Sequence, residues 1–279
     1  MPVNDDLVKG LKKRATEMRL GLLEMLEPGK VGHLGGSSSA SDIVATLYFH
    51  KMKIDVKNPK DPGRDYFLMS KGHAVPAQYA ALAGAGFFSR DEFPKMKTLG
   101  GILQGHPDMA TPGIEAVTGS LGQGLSIGSG IACATKRMNK ADNRVYVMCG
   151  DGEMAEGQLW EAASFAANYE LSNLTMILDR NGLQACGSCV EIMNIPELAE
   201  KWSAFGWEVI EIDGHDIPQI IDALDRNTDP KPKAIIAHTI KGKGFPFAEG
   251  VVGFHNGAMT QEQHDEGKKA LEALLKELN

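Results

Sequence analysis

Segments with the patterns of strands and helices alternate along the chain, and this alternation restricts the fold more than any other feature. Apolar residues recur at helical spacing over residues 7–27 and 38–50, and the strand-like YFLMS follows at 66–70. Such alternation is typical of βαβ units and predicts an α/β fold, a mostly parallel sheet with helices on both faces. We therefore expect a single domain over residues 1–279.

The second half of the chain continues the pattern. The segment 121–138 is rich in Gly, Ala and Ser, and it predicts a helix whose small side chains let it pack closely. Further strands are predicted in VYVMC, LTMILD, GWEVIEID and PKAIIAHTI. Further helices are predicted from Val75 to about Gly84, at 158–170, at 217–226 and in the C-terminal KKALEALLKELN.

Composition and charge exclude some classes of function. The net charge is −7, whereas nucleic-acid backbones need a clustered basic surface. The densest basic runs, at 12–14 and 241–243, are short and are predicted to be solvated. No apolar run is long enough to cross a bilayer, and the N-terminus lacks the apolar core of a signal peptide. We expect no nucleic-acid or membrane partner and a cytoplasmic protein.

The four cysteines do not have the density of a disulfide framework. Cys133 and Cys149 lie in apolar segments and are predicted to be small core residues. Cys186 and Cys189 form a CxxC pair, but no second pair or spaced histidine completes a zinc site. Because a redox pair of the thioredoxin type opens a helix directly after a strand, we interpret this pair as part of a loop.

Residues at strand ends are the first candidates for function, because parallel sheets bind ligands at the carboxyl ends of their strands. The strand at 145–149 runs into Gly150, Asp151 and Gly152. The two glycines let the backbone turn tightly and approach a ligand, while Asp151 projects a carboxylate. The next strand ends close to Asn181.

Three common ligand-binding motifs are not satisfied. A dinucleotide fingerprint begins at Gly122 and Gly124, but Ile127 stands where its third glycine belongs. A phosphate loop fails because Lys243 is followed by Gly244 rather than by serine or threonine. No HExxH metal motif occurs in the sequence.

A magnesium–diphosphate site fits the strand ends. Mg²⁺ takes six oxygen ligands, commonly one or two side chains together with substrate phosphates. Asp151 and Asn181 follow strands that a single crossover helix joins, and neighbouring strands would place both side chains at one spot. A helix cap by Asp151 and a simple turn at Asn181 would explain the same residues, and spacing alone leaves both interpretations open.

Several motifs resemble the transketolase family and occur in that family's order. GDG, 28 intervening residues and Asn181 resemble the thiamine diphosphate motif, and GDGEMAEGQLWEA is similar to its transketolase version. The other matches are GHLGGS at 32–37, SKGHA at 70–74, GHP at 105–107, TGSLGQG at 118–124 and FHN at 254–256. The resemblance covers essentially the whole chain, and it is to the N-terminal, diphosphate-binding half of a transketolase.

This resemblance implies thiamine diphosphate and Mg²⁺ as cofactors, with Ca²⁺ or Mn²⁺ able to replace the Mg²⁺. It implies that Asp151, Asn181 and the backbone carbonyl of Leu183 hold the metal. The implied cofactor-binding residues are Gly119, Ser120, Leu121, Gly150, Asp151, Gly152, Glu153, Asn181, His73 and His255. The implied catalytic residues are His33, His73, His106 and His255 around the thiazolium and the sugar, and Glu156 and Glu161 near a subunit interface.

Transketolases move a two-carbon ketol unit from a ketose to an aldose, so the resemblance implies a transferase that acts on sugar phosphates. Histidines suit the proton transfers, because their usual pKa lies near the working pH. Leu34 and Arg180 depart from the family's frequent Pro and Asn. The departures bear on substrate preference, and ordinary, branched and sulfonated sugars all stay open. The remaining histidines, His50, His215, His238 and His264, are predicted to be structural.

The resemblance also implies a partner. Transketolases need a pyrimidine-binding domain whose glutamate activates the cofactor, and the sequence contains no second GDG and no further α/β repeat. We therefore expect this domain on a separate C-terminal subunit, with two copies of each chain in an α2β2 heterotetramer. A shortened form of a longer protein is the alternative.

Three other functions remain open from the sequence. The chain would also suit the α-subunit of a 2-oxo acid dehydrogenase, a deoxyxylulose phosphate synthase-like enzyme, or a non-catalytic nucleotide-binding module. Decarboxylation of a 2-oxo acid would favour the first of these. Failure to bind thiamine diphosphate with every partner present would favour the last.

Overall fold

A five-stranded parallel sheet forms the centre of the computed structural model, which describes residues 4–138 and 142–279. The strands are β1 (Tyr66–Met69), β2 (Val145–Gly150), β3 (Leu174–Arg180), β4 (Glu208–Asp213) and β5 (Lys233–His238). Their order across the sheet is β1-β2-β3-β5-β4, and every neighbouring pair is parallel. The predicted parallel α/β fold is confirmed.

The α-helices follow the predicted pattern with small shifts at their ends. The helix predicted at 38–50 begins four residues earlier and continues as the π-helix Leu47–Lys51, and two short helices at 189–192 and 198–204 were not predicted. The α-helices are α1 (Asp5–Met25), α2 (Leu34–Thr46), α3 (Val75–Ala85), α4 (Gln123–Cys133), α5 (Gly157–Asn168), α6 (Cys189–Ile192), α7 (Leu198–Ala204), α8 (Ile217–Asp225) and α9 (Gln261–Leu278).

Helices cover both faces of the sheet. Successive strand side chains point to opposite faces, so each strand contributes to two cores. Tyr146 and Ile177 pack into a core with α1, α2, α3 and α8. Val147 and Leu178 pack into a second core with α4, α5 and α7. Burial on both faces explains why the strands are continuously apolar in sequence.

Helix α4 lies unusually close to the strands, as its small residues predicted. A side chain at Gly124 would bring its Cβ within 2.2 Å of the Ser70 Oγ. A side chain at Gly128 would bring its Cβ within 2.4 Å of Val147. Gly122 is the N-cap residue directly before α4, and its positive φ of 84° favours glycine. This close packing sets the position of the loop before α4, which borders the site described below.

The first and last helices have defined N-terminal caps. The Asn4 side chain accepts a hydrogen bond from the Asp6 N–H at the start of α1. Thr260 and Gln263 form a capping box at the start of α9, which packs along α1.

In the described parts of the chain, every helix is too short or too polar to cross a membrane.

Candidate active site

Strands β2 and β3 are neighbours, so the residues that follow them lie at one edge of the sheet. Gly150 pairs with Asp179 in the register, which brings Asp151 and Asn181 to the same carboxyl edge. The Asp151 carboxylate accepts a hydrogen bond from the Gly182 N–H at 2.6 Å. The structure thus shows the convergence of strand ends that the sequence predicted.

Asp151 does not cap a helix. It precedes the 3-10 turn Gly152–Ala155 without a capping hydrogen bond from its side chain, and α5 begins only after Glu156. Burial, together with the neighbouring Asp179 carboxylate, raises the pKa of Asp151 to about 6. A cation bound beside this carboxylate would favour its charged form. The geometry excludes the helix-cap interpretation of Asp151.

A short hairpin after β3 places the third predicted metal ligand. Leu183 and Ser188 form an antiparallel bridge, and the Leu183 N–H donates to the Asn181 Oδ1 at 3.2 Å. The Leu183 carbonyl accepts a hydrogen bond from the Lys241 Nζ at 3.0 Å. This carbonyl therefore already faces a cation and carries partial negative charge into the site.

A cavity of about 350 Å³ opens where these segments meet, a size that suits a small ligand. Five predicted site residues are not among its lining residues: His33, His106, Gly119, Ser120 and Glu161. Those that do line it are His73, Leu121, Gly150, Asp151, Gly152, Glu153, Glu156, Asn181, Leu183 and His255.

The four motif histidines form one cluster beside this cavity, and two of them, His73 and His255, line it. His33 precedes α2, His73 follows β1, and His255 follows the 3-10 turn Val252–Phe254. The ring centroids of His73 and His255 are 4.8 Å apart, and those of His33 and His73 are 5.1 Å apart. His106 joins from a loop, with its ring centroid 6.2 Å from that of His33. The structure thus assembles histidines that are up to 222 residues apart in sequence.

The environment keeps all four rings neutral at neutral pH. Burial, with the charge on Lys71, lowers the pKa of His73 to about 2. Burial lowers the pKa of His33 and of His255 to about 4, and it also lowers the pKa of His106. A neutral imidazole carries one N–H donor and one acceptor nitrogen. The cluster therefore offers both donors and acceptors to the hydroxyls of a ligand.

We expect the low pKa of His73 to make the stability of the chain depend on pH. Between its folded pKa and the ordinary value of about 6.5, the unfolded state binds the extra proton, so stability falls as the pH drops below about 6.5. From pH 6 to pH 4.5, the wild type should lose about 1.4 kcal/mol per pH unit relative to His73→Asn. Urea unfolding of both proteins measures this difference, and equal slopes would contradict it.

Gly119 contributes through its lack of a side chain. Its φ is +133°, and a Cβ there would lie 2.6 Å from the His106 ring. The Tyr79 hydroxyl donates to the His106 carbonyl at 3.1 Å and holds the other side of this residue. Gly119 thus allows the close approach of His106, while Leu121 on the same loop reaches the cavity.

Glu153 connects three segments that border the site through hydrogen bonds to its carboxylate. Its carboxylate accepts hydrogen bonds from the Gly122 N–H at 2.9 Å, the Gly150 N–H at 3.1 Å and the Ser70 hydroxyl. Burial raises the pKa of Glu153, which these bonds oppose. Both oxygens are engaged within the protein, so Glu153 positions the ends of β1 and β2 and the loop before α4.

The two predicted acidic residues occupy different environments, Glu156 directly before α5 and Glu161 within it. Glu156 is exposed at the border of the cavity, directly before α5. Glu161 lies one turn into α5 on its exposed side, together with Phe165 and Tyr169. Glu156 is therefore close enough to act on a bound ligand, whereas Glu161 belongs to a solvent-facing helix surface.

A buried ion pair that the sequence did not single out supports the floor of the cavity. The Lys71 ammonium pairs with the Asp179 carboxylate, and both side chains are fully buried. Lys71 also donates to the Gly36 carbonyl at 2.9 Å, and Ser39 donates to Asp179 at 2.5 Å. In the sequence, the only indication of a role for Lys71 is its place in the SKGHA motif, two residues before His73.

Lys241 was predicted to be solvated, and that prediction is wrong. The side chain is buried, and its Nζ contacts the Leu183 carbonyl and the His255 Nδ1, each at 3.0 Å. Burial, with the nearby Lys71 charge, lowers the pKa of Lys241 to about 8. Lys241 follows the carboxyl end of β5, a position that indicates a role in ligand binding. The shortness of the basic run at 241–243 favoured a solvated side chain instead.

His215 anchors the segment that carries Lys241. Its Nδ1 bonds to the Asp42 carboxylate at 2.8 Å, and its Nε2 accepts from the Ile240 N–H at 2.9 Å. Arg19 holds the same carboxylate at 2.6 Å, and all three side chains are wholly or largely buried. The structure gives His215 the structural role that was predicted.

The CxxC pair lies beside the hairpin that follows β3. All four cysteines are free, and Cys189 opens the one-turn helix α6. Burial, with the Asp151 charge, raises the pKa of Cys189 to about 11, so its thiol is not activated. Cys149 is buried in the sheet as predicted, whereas Cys133 is half-buried.

The fold and the site are those of a thiamine diphosphate-binding domain. Residues 11–274 match the family described as transketolase, thiamine diphosphate binding domain. The chain belongs to the transketolase family, which confirms the resemblance found in its sequence.

Two relatives match nearly their whole length. The chain is 41% identical over 273 residues to a subunit of the apulose-4-phosphate transketolase of Phocaeicola vulgatus, which is 97% of each chain. It is 44% identical over 255 residues to a subunit of the 6-deoxy-6-sulfo-D-fructose transketolase of a Clostridium species, covering 90% of this chain and 92% of the relative. These matches support the prediction of an N-terminal transketolase subunit.

Solved structures that are similar in fold include longer transketolases. The transketolase of Campylobacter jejuni superposes with a TM-score of 0.89 at 31% identity, covering 94% of this chain. The transketolase of Leishmania mexicana superposes with a TM-score of 0.87 at 29% identity. The chain spans only 42% and 45% of these two proteins.

Proposed function

We propose that this chain is the diphosphate-binding subunit of a two-chain transketolase, which transfers a two-carbon ketol unit from a ketose phosphate to an aldose. The observation that carries the proposal is the cluster of four neutral histidines beside the ends of β2 and β3. Thiamine diphosphate, when bound, supplies the electron sink for cleavage of the carbon–carbon bond. The protein supplies binding, orientation and proton transfer.

We propose Mg²⁺ as the resident metal, with Ca²⁺ or Mn²⁺ as substitutes. Asp151, Asn181 and the Leu183 carbonyl offer a carboxylate, an amide and a carbonyl oxygen, the hard donors that Mg²⁺ prefers. Among residues 4–138 and 142–279, no three His, Cys, Asp or Glu side chains form a metal cluster. Such a donor set suits an ion that completes its coordination with phosphate oxygens and water.

The glycine-flanked turn after β2 and the buried Lys241 would receive the diphosphate. Gly150 and Gly152 line the cavity without side chains, which leaves their backbone open to close approach. Lys241 lines the same cavity and adds a desolvated positive charge. Gly119, Ser120 and Leu121 lie on the loop before α4, and Glu153 holds that loop in place.

The histidines would bind the sugar and move its protons. In the neutral state, His33, His73, His106 and His255 can each donate one hydrogen bond and accept another. Lys241 donates to the His255 Nδ1, which leaves the Nε2–H of that ring as the donor. Glu156 borders the same space and adds an ionisable carboxyl group, whereas we place Glu161 at a subunit surface.

The proposed assembly has two chains of each kind. The relatives that this chain matches over nearly their full length are named as subunits, which supports a partner that carries the pyrimidine-binding domain. We propose a single diphosphate-binding domain here, an α2β2 heterotetramer and a cytoplasmic location.

We propose a ketose with an anionic end group as the donor. The two relatives are named for apulose 4-phosphate and for 6-deoxy-6-sulfo-D-fructose, and the phosphate and sulfo groups in these names are anionic. Assaying the assembled enzyme with xylulose 5-phosphate, apulose 4-phosphate and 6-deoxy-6-sulfofructose identifies the donor. Equal turnover of an uncharged ketose would contradict this proposal.

Asp151→Asn and Asn181→Ala should each weaken Mg²⁺-dependent binding of thiamine diphosphate to the assembled enzyme by at least about tenfold, or about 1.4 kcal/mol. Asp151→Asn retains an oxygen acceptor for the Gly182 N–H but removes the charge that a metal needs. Calorimetric titration measures the affinity. Asp222→Ala, at an exposed position on α8, is the control. Unchanged affinity in both site variants would refute the proposed metal site.

A further inference from the structure

A second cavity lies at the opposite edge of the sheet, where the strands begin. Its volume is about 390 Å³, which is within the range of small-molecule sites and similar to that of the active-site cavity. It is bounded by the starts of β2, β3 and β5 and by the end of α8. None of the residues assigned above to the active site lines it.

Three polar side chains form a row on the floor of this cavity. Tyr146, Thr175 and Lys233 are register partners across β2, β3 and β5, so they lie side by side. Their exposures are 2%, 7% and 5%, yet all three line the cavity. Within the described residues, the Tyr146 and Thr175 hydroxyls make no hydrogen bond. Neither hydroxyl oxygen is among the buried polar atoms that lack a partner, so both are accessible from the cavity and can bind a polar ligand.

Lys233 brings a positive charge to the same row. Its ammonium donates to the carbonyls of Ala223 and Leu224 at 2.8 and 3.0 Å, which leaves one N–H for another acceptor. Burial, with the charges on Lys51 and Arg144, lowers the pKa of Lys233 to about 8. An anion in the cavity would stabilise the charged form of Lys233 and so oppose the effect of burial.

The mouth of the cavity is also basic. Five cationic and three acidic side chains line the cavity in total. Asp225 is paired with Lys51, and Asp65 accepts from two backbone N–H groups at 2.8 and 2.9 Å. Asp142 lies 3.7 Å from Lys53.

The two arginines of the mouth are not neutralised in this way. Among residues 4–138 and 142–279, Arg144 and Arg226 make no ion pair. Both are exposed at the mouth of the cavity. Two guanidinium groups therefore border a cavity that is also lined by a buried ammonium and two hydroxyl groups.

We propose that this cavity is a binding site for a small phosphorylated metabolite, separate from the active site. Guanidinium groups match the geometry of phosphate oxygens and form charge-assisted hydrogen bonds with them. Arg144 and Arg226 hold the phosphate at the mouth, and Lys233 attracts it from within. The Tyr146 and Thr175 hydroxyls bind the polar remainder of the ligand on the floor of the cavity.

The test uses the full chain, with inorganic phosphate and glycerol 3-phosphate as probes and calorimetry as the readout. Thr175→Val and Tyr146→Phe remove single hydroxyls with little change of shape, and Arg226→Gln removes one charge at an exposed position. We expect Arg226→Gln to weaken binding of both probes by at least about tenfold, and each hydroxyl variant to weaken glycerol 3-phosphate binding by about three- to tenfold. Arg90→Gln, at an exposed arginine remote from the cavity, is the control and should bind as the wild type does.

The active-site cavity is also expected to bind phosphate, so the two sites must be separated. Binding at the second cavity should persist in Asn181→Ala and in the presence of saturating thiamine diphosphate and Mg²⁺. Complete displacement by thiamine diphosphate would overturn the proposal. Equal affinity in the wild type and in all three cavity variants would also overturn it, as would the absence of binding at probe concentrations on the order of 10 mM. A preference for glycerol 3-phosphate over inorganic phosphate would identify an organic ligand rather than the free ion.

Discussion

Replacing His73, His106 or His255 by alanine is expected to lower turnover of the assembled enzyme by roughly 10²–10⁴-fold each. The three rings belong to one cluster, and burial keeps them neutral, so each supplies a donor and an acceptor at neutral pH. A sugar substrate offers several hydroxyls and a carbonyl whose protons must move during the reaction. Steady-state kinetics with a ketose phosphate donor measures the loss.

The same variants should change thiamine diphosphate affinity much less than turnover. The diphosphate and metal are assigned to the ends of β2 and β3 and to Lys241. His106 does not line this cavity, and His73 and His255 line it without being assigned to hold the diphosphate or the metal. His50→Ala and His238→Ala are suitable controls, because both side chains are exposed. Similar losses in the controls and in the cluster variants would refute the assignment of roles.

His215→Ala is not a suitable control, although a structural role was predicted correctly. His215 supports the Ile240 N–H at 2.9 Å, directly before Lys241. Its loss would release the segment that positions this ammonium group. A histidine outside the cluster can therefore reduce activity through backbone positioning rather than through proton transfer.

The parts of the site that follow single strands could be predicted from the sequence. Asp151 lies one residue beyond β2, and Asn181 lies one residue beyond β3. Two strands joined by one crossover helix are commonly neighbours, so the local pattern was enough to bring these side chains together. The histidines were found through motifs, because nothing in their spacing shows that four separate loops meet.

The parts that depend on tertiary packing were missed. The order β3-β5-β4 places the last strand beside β3, and local patterns do not determine that order. This arrangement brings Lys241, which follows β5, next to the Leu183 carbonyl. A lysine that is followed by Gly242 and Lys243 has the pattern of a solvated residue, and only the neighbouring strand shows that Lys241 is buried.

The surroundings of the active site contain exposed apolar side chains that we expect a partner chain to cover. We call this set the rim; each member is at least 40% exposed and belongs to a segment that also carries site residues. The rim consists of Val31, Val117, Val190, Ile192, Met193, Ile240 and Val251. Apolar side chains concentrated around a polar cavity are typical of an interaction surface.

The isolated chain is expected to show no transketolase activity, and a second polypeptide is expected to restore it. The proposed cofactor must be held at both ends, and this chain accounts for the diphosphate, the metal and the histidine cluster. The glutamate that activates the aminopyrimidine in this family would come from the partner's pyrimidine-binding domain. Assays of the purified chain with thiamine diphosphate, Mg²⁺, a ketose phosphate and an aldose, with and without the partner, test this. Robust turnover by the chain alone would overturn the two-chain proposal.

The rim allows the cause of this dependence to be tested. Val190→Asp and Val117→Asp place a charge where the partner is expected to bury apolar surface, and each should weaken association by at least about tenfold. Because both side chains are exposed, the fold of the chain itself should be unaffected. Leu274→Asp, on the exposed side of α9, is the matched control and should leave association unchanged. Sedimentation analysis measures assembly, and activity at saturating partner concentration should return in both rim variants. If the variants associate normally, then the partner must bind elsewhere. If activity stays lost at saturation, the rim residues act on the reaction itself rather than on assembly.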